Sequence, residues 1–153
     1  MTPPPRRATV TRSAAAAATV DTVGDPMSDW PGPIFALTIF AEDLEATTRF
    51  YADVFRLPVV FQDANSAVFR FGETLINLLD VSQAEGLVGP APVASPGAGA
   101  RFQLTLKVDD VDAMCDELRR RGVRLLNGPL DRPWGPRTAA FQDPTGTVWE
   151  IAS

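Results

Sequence analysis

Phe35–Ala46, "FALTIFAEDLEA", and Phe102–Ala113, "FQLTLKVDDVDA", decide the fold. Set one above the other at an offset of 67, they repeat Phe, Leu, Thr, an aliphatic residue, acid, Asp, aliphatic, acid and Ala in register. An internal repeat of this kind implies two copies of one supersecondary unit. Each copy opens with the alternation of a strand: Phe102, Leu104, Leu106 and Val108 fall on one face, Gln103, Thr105 and Lys107 on the other. Each then meets an acidic cluster before a helical pattern. Asp43 and Asp110 are placed as N-caps, with further acid in the first turn to complement the helix dipole. In the second helix Val111, Met114, Cys115 and Leu118 form one apolar stripe, ended by "RRRG". Cys115 reads as a small core residue.

Three short strands follow each helix: "PVVFQ", "SAVFRFG" and "TLINLLD" in the first copy, "VRLLN", "RTAAFQD" and "TVWEIA" in the second. The fold class is therefore α+β, two βαβββ modules spanning 33–80 and 101–152. Between them Val81–Ala100, with three prolines and four glycines, reads as a linker or lid. Residues 1–29, rich in Pro, Ala and Thr without a sustained hydrophobic period, read as a disordered tail. Met27 offers a second translation start. The single folded domain is expected to occupy residues 33–152.

Composition narrows the chemistry. At 153 residues, 45% hydrophobic, the chain is long enough to bury one core. No apolar run is long enough to span a bilayer, and a net charge of −5 disfavours a nucleic-acid backbone as partner. One cysteine allows no internal disulfide, which suits a reducing, cytoplasmic setting. There is no histidine. That excludes Ser-His-Asp and Cys-His nucleophile systems and the two-histidine, one-carboxylate iron site.

The doubled order, the "FY" of Phe50 and Tyr51 on the first helix, and the closing "PWGPRTAAFQDPTGTVWE" resemble the vicinal oxygen chelate superfamily, which includes glyoxalase I, extradiol dioxygenases and bleomycin-resistance proteins. The resemblance implies curved mixed sheets around a cavity, with metal ligands on the first and last strands of each module. The matching positions are Ala36 and Asn77 in the first module, Gln103 and Glu150 in the second. Ala36 binds nothing and Asn77 offers a neutral carbonyl, which leaves Gln103 and Glu150 as the metal candidates; catalytic sites normally hold about three protein ligands.

Strand parity puts Glu150 with Val148 and Ala152, opposite Trp149 and Ile151, hence toward the cavity. Lys107 shares the Gln103 face and is one candidate partner for it. Thr38 and Phe40 line the matching part of the first module beside Ala36, and Thr105 lies next to Gln103. Trp134, stiffened by Pro133 and Pro136, either plugs the domain edge or stacks on a planar ligand. Arg137 either holds a substrate anion or pairs with Asp131 or Glu150. Trp149 is expected in the core, and Asp143, Pro144 and Gly146 are turn residues.

Two functions are open. One is a metal-independent protein of the bleomycin-resistance type that sequesters an aromatic or cationic compound at a homodimer interface. The other is a glyoxalase-type lyase or isomerase in which Glu150 is the catalytic base and a divalent ion (nickel, zinc or manganese) polarises a carbonyl.

Overall fold

The structure is a computed structural model that describes residues 32–153; the expected tail and the Met27 start lie outside these residues. The first module runs β1 (Ala36–Ala41), α1 (Leu44–Val54), β2 (Val59–Gln62), β3 (Ser66–Phe71) and β4 (Thr74–Asp80). After a short helix α2 (Glu85–Val88), the second runs β5 (Gln103–Lys107), α3 (Val111–Arg120), β6 (Leu125–Asp131), β7 (Arg137–Gln142) and β8 (Val148–Ala152). Each forms one four-stranded sheet, ordered β1-β4-β3-β2 and β5-β8-β7-β6. In both, the first strand pairs in parallel with the last and the other pairings are antiparallel. A parallel pair needs a long crossover, which the helix and two intervening strands supply. The expected fold class is what the chain adopts.

The helices start where their caps dictate. Asp43 Oδ1 accepts the Ala46 amide at 3.0 Å, and Asp110 Oδ1 accepts that of Ala113 at the same distance. Val111, Cys115 and Leu118 are buried as their spacing predicts, and the Cys115 thiol is pushed up in pKa by that burial.

Both helices lie on the same side of their sheets, and that side is shared between the modules. The Tyr51 ring of α1 sits 5.6 Å from Phe69 of its own sheet and 6.0 Å from Trp149 of the other. Phe55 lies 5.0 Å from Phe71 and 4.8 Å from Trp149, while Phe71 stacks on Trp149 at 5.0 Å. Arg121, just beyond α3, donates to the Val54 carbonyl at the end of α1. The modules thus share one core, and each sheet turns its other face away from the helices.

The segment between the modules is more structured than a plain linker. Asp80 caps a 3-10 turn over Val81–Gln83, α2 follows, and a second turn spans Pro96–Ala98. Its end rests on the β7–β8 turn: a Cβ on Gly146, at φ +85°, would lie 2.8 Å from the Pro96 carbonyl oxygen. Glycine is required there by both conformation and space. Among the described residues no helix is long and apolar enough to cross a membrane.

Candidate functional site

The faces turned away from the helices carry the expected site residues. Thr105 is paired with Glu150 across β5 and β8, and Ala140 and Asn127 continue the row on β7 and β6. Thr105 Oγ1 donates to Glu150 Oε1 at 3.0 Å. Glu150 is half-buried while Gln103, Thr105 and Lys107 are exposed, so one open polar surface holds all four. Lys107 is not the partner of Glu150; the hydroxyl of Thr105 is. Trp149 is 2% exposed and points the other way, as parity requires.

The first module repeats the geometry with weaker chemistry. Thr38 pairs with Asn77 across β1 and β4, and Asn77 Nδ2 donates to Thr38 Oγ1 at 3.4 Å. Ala36 is exposed and Phe40 half-buried on the same face. The two faces are thus equivalent in register and opposite in character, the first largely apolar and the second charged.

Trp134 does not plug the domain edge: it is 74% exposed. It sits in the tight turn that joins β6 to β7, closed by Arg132 N–H to Pro136 O at 2.8 Å and Gly135 N–H to Arg132 O at 3.0 Å. Beneath its ring lies the Arg132 guanidinium, 5.9 Å from the centroid. Sequence reasoning passed over Arg132. Arg137, read either as an anion holder or as a partner of Asp131 or Glu150, pairs with Asp131 and also with Asp112: Nε and Nη2 donate to Asp112 at 2.6 and 2.9 Å, and Nη1 to Asp131 at 3.2 Å. These bonds hold the Asp112 carboxyl below its ordinary range and raise Arg137 further. Asp112 belongs to α3, so Arg137 faces the helix layer.

A second polar group escaped the sequence. Asp143, 5% exposed, holds its turn through Oδ1, which accepts from the Thr145 hydroxyl at 2.6 Å and the Thr145 amide at 2.8 Å. Its Oδ2 accepts the Tyr51 hydroxyl at 2.5 Å, and Trp149 Nε1 donates to the same phenol oxygen at 3.2 Å. Burial and the neighbouring carboxylate push Tyr51 far up in pKa. The group is a sealed tie between the modules.

A divalent metal fits the open faces poorly. Its two-module set would be Ala36, Asn77, Gln103 and Glu150, which contains one carboxylate, one residue with no donor atom and two neutral amides. Among the described residues no three His, Cys, Asp or Glu side chains gather.

Cavities of about 620 and 430 Å³ lie at the end of α1 and between the modules, lined by residues including Leu57 and Arg121. Neither includes Thr105 or Glu150. Among the described residues, Gln103, Thr105 and Lys107 are exposed on this face while Thr138, Ala140 and Ala152 are buried, and a second wall over the exposed part would enclose a ligand.

Two βαβββ modules, each with one four-stranded mixed sheet, define the class of fold to which the chain belongs. Residues 34–151 match the Glyoxalase/Bleomycin resistance protein/Dioxygenase superfamily, and the chain belongs to that family. It is 34% identical to the uncharacterized protein YraH of Bacillus subtilis (strain 168), over 77% of this chain and 95% of that one. Among solved structures it resembles a glyoxalase/bleomycin resistance protein/dioxygenase from Nocardioides, with TM-score 0.73, 25% identity and coverage of 82% and 85% of the two chains. Lactoylglutathione lyase from Agrobacterium tumefaciens matches at TM-score 0.62 and 25% identity, covering 80% and 93%. TnmS3, an antibiotic binding protein from Streptomyces sp. CB03234, matches at TM-score 0.60 and 26% identity, covering 78% and 93%.

Proposed function

We propose that this protein is a metal-independent small-molecule binder of the sequestration type, holding a planar compound on the open face of its second module within a cytoplasmic homodimer. The observation that carries this reading is the pairing of Glu150 with Thr105 at 3.0 Å beside positions that supply no further anionic ligand. A carboxylate hydrogen-bonded to a neighbouring hydroxyl is a ready acceptor for a donor on a ligand. The likeness to TnmS3, an antibiotic binding protein, supports the same reading.

The homodimer supplies the missing wall. β1 and β5 are edge strands, and the exposed Ile34 (70%), Phe35 (46%) and Phe102 (57%) stand at their entrances. Unpaired strand edges beside exposed apolar side chains favour association.

The competing reading, a lyase or isomerase using Glu150 and a divalent ion, is favoured by the similar likeness to lactoylglutathione lyase. Glu150→Gln separates the two. A ligand that donates to the carboxylate is expected to lose about 1.5 to 3 kcal/mol on this change, the value of one charge-assisted hydrogen bond, with the protein's metal content unaltered. Loss of a stoichiometric metal from the variant would overturn the metal-independent reading and favour the competing one.

A further inference from the structure

The open face of the second module has an anion-holding end. Arg132 Nε donates to Thr138 Oγ1 at 2.7 Å and Nη2 donates to Asn127 Oδ1 at 3.0 Å. Both acceptors are neutral, and among the described residues Arg132 has no carboxylate partner, whereas Arg137, five residues on, has two. A guanidinium carries five N–H donors. With two engaged, three remain to be satisfied by solvent or a ligand.

The sheet register places this guanidinium. Asn127 lies opposite Ala140, which lies opposite Glu150; Thr138 lies opposite Ala152, which is paired with Lys107. Arg132 therefore lies on the Glu150 face, about two strand spacings, on the order of 10 Å, from that carboxylate. Between them lie Ala140 and Ala152, small side chains that are themselves buried, at 3% and 8% exposed. Gly128 lets β6 lie against β7 here: at φ +83°, any Cβ would run into the Thr138 carbonyl and Ala139. Trp134, which covers the guanidinium, is held out by a turn containing Pro133 and Pro136. The chain as a whole carries a charge of −5, yet this face carries Arg132 and Lys107 against Glu150. A cation alone would meet local repulsion at this end.

Resting on the binding role proposed above, we infer that the ligand is a planar aromatic carboxylate with a hydrogen-bond donor at its far edge. The carboxylate is held by the free donors of Arg132, the ring lies against Trp134, and the donor meets Glu150, with Lys107 on the opposite edge strand of the sheet. Guanidinium groups recognise carboxylates bidentately and stack with aromatic planes, and both abilities are in place here.

The test is calorimetric titration of the full chain with 6-hydroxy-2-naphthoate and its neutral methyl ester. Wild type is expected to bind the acid about tenfold more tightly than the ester, the difference of one charge-assisted contact. Arg132→Gln should remove that preference, weakening the acid about tenfold while leaving the ester unchanged, and Arg132→Lys should restore part of it. Trp134→Ala should weaken both compounds alike. Unchanged melting of Arg132→Gln shows that the fold is kept, and Arg132→Lys carries the comparison if it is not. Equal binding of acid and ester by wild type overturns the anion assignment while leaving the binding role intact. If neither compound binds, the aromatic carboxylate assignment falls, and the effect of Glu150→Gln on metal content decides the binding role separately.

Discussion

A buried phenol must find its partners inside the protein, because an unsatisfied hydroxyl away from water costs about 1 to 3 kcal/mol. Tyr51, fully buried, meets this demand by donating to Asp143 and accepting from Trp149, which ties the first helix to the last hairpin. Tyr51→Phe keeps the ring and removes the tie, leaving a buried indole N–H and a carboxylate oxygen without their partner. Chemical denaturation is expected to show a loss of about 2 kcal/mol. The raised pKa adds a pH signature. Above the ordinary tyrosine value of 10 the unfolded chain loses this proton while the folded one keeps it, so stability falls as the pH rises past 10. Tyr51→Phe should lack this part of the alkaline decline.

Asp143 illustrates what one sequence cannot disclose at this scale. Its place in "DPTG" satisfies turn chemistry through one oxygen, and nothing local announces that the other reaches a tyrosine 92 positions away. Glu150 was legible because an acid inside an apolar strand demands an explanation; the family resemblance supplied its place and strand parity supported it.

The helices and strands were legible wherever a period or a cap fixed them. Asp43 and Asp110 cap as read, and six short apolar runs became β2 to β4 and β6 to β8. Arg137 pairs with Asp131, one of the readings the sequence allowed, and strand parity accounts for its further bonds to Asp112. It shares the face of Ala139 and Phe141, which are buried against the helices, whereas Thr138, Ala140 and Gln142 share the face of Glu150. Arg132 was hidden by its place in the chain. β6 runs on to Asp131, past Gly128 and Pro129, where strand patterning is weakest.

The Arg137–Asp112 pair also makes a prediction about elements, since it fastens β7 to α3. Hydrogen bonds from Arg137 lower the folded pKa of Asp112, and those from Arg120 and Arg121 lower that of Glu117. A lowered carboxylate contributes stability that is present above its unfolded value, here about 3.8 to 4.5, and is lost as the pH falls through the folded value. Melting temperature should therefore drop below about pH 4.5, and Arg137→Gln should make the drop shallower relative to neutral pH. An unchanged acid limb in the variant would show that the pair does not couple to folding.

At the scale of the whole molecule, the two modules meet through their helices, and among the described residues β1 and β5 are edge strands of their sheets. The repeat at an offset of 67 foretold two modules but not this arrangement, because neither copy encodes which of its faces meets the other. Sedimentation at micromolar concentration is expected to give a species of twice 16.5 kDa. Phe102→Lys, which sets a charge at the β5 entrance, should shift it toward the monomer. A single 16.5 kDa species in the parent would remove the second wall from the proposed site.

Binding without a metal is tested most directly by thermal melting of chelator-treated protein with added nickel, zinc or manganese. A site saturated at about a hundred times its Kd would stabilise the fold by about 2.7 kcal/mol, a rise on the order of 10 °C. The predicted result is no rise with any of the three ions. A rise of that size in the parent, absent from Glu150→Gln, would contradict the claim and assign the open face to a metal site.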